Sequence, residues 1–445
     1  MINRTILKWI SVGSIRHRQT LTSLSFICLL TLCAFFPTFD NDFQMGWDDQ
    51  WMVYNPMTKG HLDWSLIKNI FTTSFNGQWG PLNQLAYTLI FQITAYSSFA
   101  YHVYSFILHI ANVCMVYLLV DKVLRDCSNL SGTRINRINF ITTLLFAIHP
   151  LQVESVAWIS ASKIPLSTLF YLGAAYALTV FLKVRGLKCY LVSIVLYACS
   201  YLSKENVLMF PLLSVLLCLM YRVPLRSRMF WLTVLPFFVV TVGFGLHLVY
   251  KVSGYNEIVH IETFGVVQRI MLCASSLAMF VYKWAFPVKL SWMYWLPVMP
   301  GSEFPLWMML APMALVAVCF AAWPWIRKPV VAFTLAFFVI HLLFVIHLLF
   351  LPRNAIIADR YMYLPILGLN ILLAFALSWC LERVRVHWLR HATVIILCSI
   401  IISCFTLSFQ RTKQWHDSKV LRESDYLLYN KNEEPVIFPV NHMNN

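Results

Sequence analysis

Residues 20–56 read TLTSLSFICLLTLCAFFPTFDNDFQMGWDDQWMVYNP. Residues 20–36 carry no charge and reach the lower end of the about 17–25 residues that a membrane-crossing helix uses. Arg4, Lys8, Arg16 and Arg18 precede the run, as in a secretory leader. It ends in AFFPTF, without a small-residue cleavage site, and so reads as an uncleaved first span. Two adjacent carboxylates, Asp48 and Asp49, then stand among tryptophans.

The rest of the chain repeats this apolar pattern. Of 445 residues, 59% are hydrophobic and 12% charged, where soluble domains carry about 25% charged residues. This predicts an all-α polytopic membrane protein with about eleven crossings. They fall at about 20–36, 102–120, 138–150, 164–182, 188–203, 207–221, 229–250, 306–325, 330–351, 364–381 and 391–409. One membrane domain then occupies 1–409, with large outer loops at about 37–101 and 251–305, and 410–445 forms a short polar tail on the outer side.

Two further apolar stretches read as interfacial helices. In 81–97 (PLNQLAYTLIFQITAYS), Gln84, Thr88 and Gln92 recur every four residues and make one polar stripe. Stretch 264–286 repeats a polar pair every seven residues: Gln268–Arg269, Ser275–Ser276 and Tyr282–Lys283. Counting both as crossings gives thirteen, and charge decides between the two counts. With eleven, the inner side is 1–19, 121–137, 183–188, 222–228, 326–329 and 382–390. These segments hold 19 Lys/Arg against 3 Asp/Glu, and the outer side holds 15 against 16. Basic residues accumulate in short cytoplasmic loops, so the N-terminus is placed inside and the C-terminus outside. The net charge of +15 is then a topology signal and calls for no nucleic acid.

The twelve cysteines sit in or beside apolar segments, with no CxxC pair and no zinc spacing; they read as small buried side chains. His341 and His347, in VIHLLFVIHLLF, fall about 240° apart around a helix and cannot share a metal. No GxGxxG, Walker-type loop or HExxH occurs. Whether a divalent metal is needed stays open, since adjacent carboxylates alone do not define a metal site.

Ionisable groups gather at the outer ends of spans, where charge near a bilayer is expensive and signals function. His149, Glu154 and Lys163 follow span three (IHPLQVESVAWISASK). Lys204 and Glu205 end span five (SYLSKEN). Arg353, Asp359, Arg360 and Tyr361 lie between spans nine and ten (LPRNAIIADRYMYLP). His102, Ser105, His109 and Asn112 share one stripe of span two, facing the protein interior either to bind substrate or to join helices. Acids and cations at the outer mouth of a membrane cavity suit sugar transfer from a lipid phosphate: cations meet the phosphate, and a carboxylate takes the acceptor's proton. Aromatic residues, dense in the first loop, suit sugar faces.

WDDQWMVYNP and NGQWGPL resemble the first loop of the transmembrane-and-tetratricopeptide-repeat O-mannosyltransferase family and its bacterial relatives, which belong to the GT-C glycosyltransferases. YHVYSFILHIAN resembles that family's second span, AIHPLQVESVAWISASKIPLSTLFYL its HP..VESVAW segment, FPVKLSWMY a later outer loop and ADRYMYLPILGL its ADRYxYLP motif. RTKQWHDSKVLRESDYLL resembles the stretch after the last span. The likeness implies an inverting transferase acting on the periplasmic or lumenal side. Its donor would be a polyprenyl-phosphate-linked sugar and its acceptor a protein or glycan hydroxyl. Asp48–Asp49 match the acidic pair of the first loop, where GT-C enzymes carry the catalytic base; position in the pair favours Asp48. His149, Glu154, Lys163 and Arg360 match polar positions near the donor phosphate or acceptor path.

There are departures. Ser162 and Ile164 stand where bacterial relatives carry an arginine and an aspartate, and Gln152 and Gly80 stand where histidine is common. About 36 residues follow the last expected span, too few for a repeat array with a period of about 34 residues. The bacterial-like motifs favour a bacterial inner membrane over an endoplasmic reticulum. The competing classes are a lipid-linked glycan transporter, disfavoured by the lack of internal halves, and an inactive scaffold.

Overall fold

The computed structural model describes residues 4–429, apart from 75–77, 205–206, 254–263, 300, 349–354 and 384–385. Helices dominate: α1 Arg4–Phe35, α2 Asp49–Met52, α3 Pro56–Lys59, α4 Trp64–Thr72, α5 Pro81–Thr94, α6 Ser98–Cys127, α7 Gly132–Ile148, α8 Val153–Ala157 and α9 Lys163–Val184. They continue with α10 Leu187–Ser203, α11 Phe210–Met220, α12 Arg228–Ser253, α13 Val266–Ala285, α14 Leu306–Ile326, α15 Pro329–Leu342, α16 Ile366–Arg383, α17 His387–Gln414 and α18 Ser418–Tyr429. The strands β1 Tyr294–Trp295 and β2 Ala355–Ile357 pair antiparallel, with Tyr294 opposite Ile357.

The protein is an all-α polytopic membrane protein, as the composition requires. Among the described residues, eight helical segments are long and apolar enough to cross a bilayer, or nine if α7 and α8 form one bent span. Three expected spans form single helices too short to cross. The helices α10, α11 and α15 have 17, 11 and 14 residues, about 25, 16 and 21 Å at 1.5 Å per residue, short of a hydrocarbon core of about 30 Å. The expected count of eleven is therefore not reproduced by length and hydropathy.

The two amphipathic stretches turn their polar faces to protein. On α5, Gln84 donates to Thr58 Oγ1 at 2.9 Å, Thr88 donates to the Met57 carbonyl at 3.2 Å and Gln92 to that of Gly60 at 3.0 Å. The stripe thus seats α5 on α3 and the residues that follow it. On α13, Ser275, Ser276 and Lys283 are buried while Val266, Val267 and Ile270 are exposed. This 20-residue helix also qualifies as a span by length and hydropathy. A polar stripe fixes a helix's inward face; it does not say whether the other face meets water or lipid.

Local chemistry sets the breaks. Proline cannot continue a helix and pushes its predecessor out of the α region. Pro150 does this to His149 (φ −73°, ψ 136°), and the chain bends by 52° into α8. That bend carries Glu154 and Trp158 over the end of the bundle. At the opposite end, Arg134 and Arg137 of α7 pair with Glu382 of α16 at 3.3 and 3.4 Å. Between them, α15 and α16 pack so closely that a Cβ on Gly368 would lie 2.4 Å from the Thr334 carbonyl oxygen. Within the expected C-terminal tail, α18 docks back, burying Leu421 and Asp425.

Candidate active site

The loop after α1 is fastened to the end of α17. Asn41 Nδ2 donates to the Thr412 carbonyl at 3.2 Å, Gln44 Nε2 to that of Trp415 at 2.8 Å, and the Asp42 amide to that of His416 at 2.7 Å. Gly46 then turns the chain with φ +85°, a conformation only glycine adopts without strain. Trp47 and Asp48 follow at the lip.

The two adjacent carboxylates part company there. Asp49 is fully buried. Its Oδ2 accepts from the Gln44 amide at 2.8 Å; its Oδ1 accepts from the Ser160 amide at 2.9 Å and from the Ser160 hydroxyl. Burial pushes its pKa up to about 6, against the pull of the Ser160 and Gln44 hydrogen bonds and with a further push from Asp48. With both oxygens occupied, Asp49 pins the first loop to the 159–162 turn. Asp48 is half-buried, accepts no side-chain hydrogen bond among the described residues, and lies within the electrostatic reach of Arg360.

Glu154 and Arg360, 206 residues apart, form an ion pair. Glu154 is buried; its Oε2 accepts from the Arg360 backbone amide at 2.8 Å and its Oε1 from the Arg360 guanidinium. The guanidinium lies 5.5 Å from the centre of the Trp158 ring and 5.1 Å from that of Tyr361, a cation–π arrangement. Trp158 belongs to an aromatic wall. Trp47 meets Trp292 with centroids 4.0 Å apart and Trp158 edge-on at 6.1 Å, and Trp158 stacks on Trp415 at 5.9 Å.

Behind the wall lies a buried polar cluster. Tyr294 donates to Asp359 Oδ1 at 2.8 Å. Ser291 Oγ and the Trp292 amide donate to Asp425 Oδ2 at 2.5 and 3.3 Å. Burial and then the Glu154 charge raise Asp359 to about 7, opposed by Arg411, Tyr294 and Lys283. Burial raises Asp425 to about 6, opposed chiefly by its bond from Ser291 and by Arg411. Arg411 is buried over the Trp415 ring, with Nη1 on Gln414 and no acceptor for Nε or Nη2 among the described residues. Sequence reading did not single out Asp425, Arg411, Ser291 or Tyr294 as site residues. The signal available was that each sits in a stretch resembling the family.

The other sequence candidates scatter. His149 accepts from the Leu151 amide at Nδ1 (3.2 Å), which leaves Nε2–H to donate to the Trp284 carbonyl at 3.0 Å, so the ring secures the helix break. His109 bridges the Tyr363 hydroxyl at 2.8 Å and the Ala147 carbonyl at 3.0 Å inside the bundle, and Asn112 joins it with bonds to Pro165 and Tyr363. These are helix joints. His102 is enclosed beside the Asn41–Asp42 backbone. Lys204 is buried at the end of α10. Lys163 donates to Gln78 and lies 3.2 Å from Met52 Sδ, in a cleft also lined by Trp51 and Trp79. Arg353 and Glu205 lie outside the described residues. Among the described residues, no three His, Cys, Asp or Glu side chains are grouped to hold a metal ion.

The departures from the family pattern are built in. Ser162 is buried between the Tyr87 hydroxyl at 2.8 Å and Asn83 Oδ1 at 3.2 Å. Gln152 ties the Phe146 and Tyr363 carbonyls together. A Cβ on Gly80 would lie 2.9 Å from the Ser203 carbonyl oxygen, so a histidine there would force the loop outward.

No protein-family model matches the chain. Over 203 residues it is 27% identical to a protein O-mannosyl-transferase of Caenorhabditis elegans, covering 43% of this chain and 27% of that protein. Over 123 residues it is 28% identical to the protein O-mannosyl-transferase TMTC3 of Homo sapiens, covering 25% of this chain and 12% of the human one. The apo oligosaccharyltransferase of Archaeoglobus fulgidus superposes on 88% of this chain and 56% of its own, with a TM-score of 0.50 and 14% identity. The chain has a GT-C-type membrane fold and resembles the O-mannosyltransferases. Its matches span about a quarter or less of those relatives' length.

Proposed function

We propose that the chain is an inverting glycosyltransferase. It moves a sugar, mannose by the names of its relatives, from a polyprenyl phosphate to a hydroxyl group, that of a protein Ser or Thr. The observation that carries this reading is the contrast at 48–49: Asp49 is consumed by structure, whereas Asp48 presents a half-exposed carboxylate beside an aromatic wall and the Arg360 guanidinium.

Asp48 takes the proton of the acceptor hydroxyl. The oxygen attacks the anomeric carbon, the carbon–oxygen bond to phosphate breaks, and its electron pair leaves with the prenyl phosphate. Attack from the face opposite the leaving group inverts the anomeric centre. A positioned general base contributes about 10²–10⁴-fold. Trp47 and Trp292, both partly exposed, supply flat apolar faces for a sugar ring. The Glu154–Arg360 pair holds the 358–362 turn against that wall. The short basic connections, such as those carrying Arg134, Arg137 and Arg383, lie at the other end of the bundle. This supports a cytoplasmic N-terminus and a site facing the periplasm or lumen.

The test is sugar transfer by the purified full chain in lipid, with polyprenyl-phosphate mannose and a pool of Ser/Thr peptides. Transfer by the wild type and its loss in Asp48→Asn are expected. Equal transfer by both would overturn Asp48 as the base.

A further inference from the structure

The end of the bundle remote from Asp48 holds an apolar cleft of about 680 Å³, part of that volume being open space, framed by α6, α9, α11, α15 and α16. Burial gives its direction. Cys127, Ser128, Met220 and Val330, at the ends of α6, α11 and α15, are partly exposed and form the mouth. Leu119, Leu172, Ala175, Leu213 and Leu367 are buried and form the floor. From Ser128 to Leu119 the chain rises along α6 by about 13 Å at 1.5 Å per residue, close to half of a hydrocarbon core of about 30 Å. The lining carries no Asp, Glu, Lys, Arg or His side chain. Its two hydroxyls are satisfied by nearby carbonyls of their own segments: Ser128 Oγ donates to that of Leu124 at 2.6 Å and Thr334 Oγ1 to that of Val331 at 3.0 Å. Water would find few partners there, and such cavities stay dry. Protein interiors leave few voids larger than a water molecule; here the gap lies beside α11 and α15, two of the helices too short to cross.

The rim carries charge. Asp126 accepts from Lys122 and from the Tyr221 hydroxyl, each at 2.9 Å, and lies 3.5 Å from Lys183. Lys122, Lys183 and Arg222 all lie within electrostatic reach of Cys127. The connections at this end, 121–137, 183–188, 222–228 and 326–329, hold 12 Lys/Arg and 2 Asp/Glu, and Glu382 already engages Arg134 and Arg137. Pairing among these groups leaves a positive excess. We infer that the cleft holds one acyl chain of an anionic phospholipid, whose phosphate sits at the mouth beside Lys122, Lys183 and Arg222. The chain gives the floor the apolar contact that neither side chains nor water supply, and the basic rim favours a negative headgroup. Such a lipid binds whether or not the chain transfers sugar.

The experiment places the full chain in nanodiscs with phosphatidylglycerol or phosphatidylcholine bearing a photoreactive diazirine near the end of one acyl chain, and maps the labelled residues by mass spectrometry. No sugar donor or acceptor is present. Phosphatidylglycerol should label the floor segments 172–175 and 213–217; labelling confined to outward residues such as Leu191 and Val195 would overturn the site. Ala175→Phe should cut floor labelling at least tenfold, and unchanged labelling would equally overturn it. Ser128→Trp, at the partly exposed mouth, makes the same test where Ala175→Phe fails to fold. Each basic residue near a membrane surface favours an anionic lipid by roughly fivefold. Phosphatidylglycerol should therefore label the floor about tenfold more than phosphatidylcholine, and the double variant Lys183→Gln, Arg222→Gln should lose most of that preference. Equal labelling of the wild type by both lipids would overturn the anionic headgroup. A polyprenyl phosphate that displaces the probe at lower concentration than unlabelled phosphatidylglycerol would overturn a phospholipid as the occupant.

Discussion

Replacing each of the two adjacent carboxylates by its amide should separate structure from chemistry. The Asp49 carboxylate accepts from two backbone amides and one hydroxyl. In Asp49→Asn a single amide oxygen remains as acceptor. The Ser160 hydroxyl can rotate, but one backbone N–H, of residue 44 or 160, is left facing an NH2 group. An orphaned buried donor costs about 1–3 kcal/mol. Asp49→Ala orphans both backbone donors, for roughly 2–6 kcal/mol, a large fraction of the about 5–15 kcal/mol by which domains are stable. Asp48 satisfies no such donor, so Asp48→Asn should stay within about 0.5 kcal/mol of wild type while slowing transfer by about 10²–10⁴-fold. Thermal unfolding in nanodiscs, followed by tryptophan fluorescence, should rank wild type and Asp48→Asn together, then Asp49→Asn, then Asp49→Ala. Transfer measured well below the transition should survive in Asp49→Asn and vanish in Asp48→Asn. An Asp49→Asn protein as stable as wild type but inactive, or an Asp48→Asn protein that is destabilised yet active, would refute the assignment.

Burial raises Asp49 and Asp425 to about 6 and Asp359 to about 7 in the folded chain, against an unfolded value of 3.8. Each of these carboxyls binds more protons folded than unfolded between about pH 4 and its folded value, so its own contribution to stability falls as pH rises through that window. Asp359→Asn removes the largest of the three, so the stability of the wild type relative to Asp359→Asn should fall from pH 5 to pH 8; a difference independent of pH would contradict the shift. Glu154→Gln leaves the partly exposed Arg360 guanidinium against Trp158 without its counter-ion and should destabilise by about 1–3 kcal/mol. Arg360→Lys should also lose stability, since an ammonium cannot reproduce the guanidinium's planar geometry over the ring; both are measurable as unfolding midpoints. Gly368→Ala drives a methyl into the Thr334 carbonyl and should cost about 1–3 kcal/mol through overpacking, whereas Gly243→Ala, with open space around its Cβ position, should not.

Much of the scaffold was legible because hydropathy acts locally. A helix in lipid must be apolar along its length, so α1, α6, α9, α14, α16 and α17 lie where the expected spans do. The break at His149–Pro150 follows from proline chemistry at one peptide unit. The polar stripes of α5 and α13 were equally plain, but their partners were not. Gln84, Thr88 and Gln92 mark a face, and only the folding back of α3 and the chain after it makes that face an internal joint.

The site divides along the same line. The sequence by itself determined a multi-pass membrane protein, an excess of basic residues in its short connections, and a set of acids and cations at span ends, because charge and hydropathy are properties of each residue. It also carried the likeness to the O-mannosyltransferases in motifs spread along the chain. Tertiary structure alone separated Asp48 from Asp49, since neighbours in sequence differ only once the turn at Gly46 sends one carboxylate onto Ser160 and leaves the other at the lip. It alone joined Glu154 to Arg360 and Ser291 to Asp425, and it withdrew His109 and His149 into helix joints. A side chain's chemistry depends on which donors, acceptors and charges reach it. In a bundle whose helices return repeatedly to the same level, those partners come from segments a hundred or more residues away.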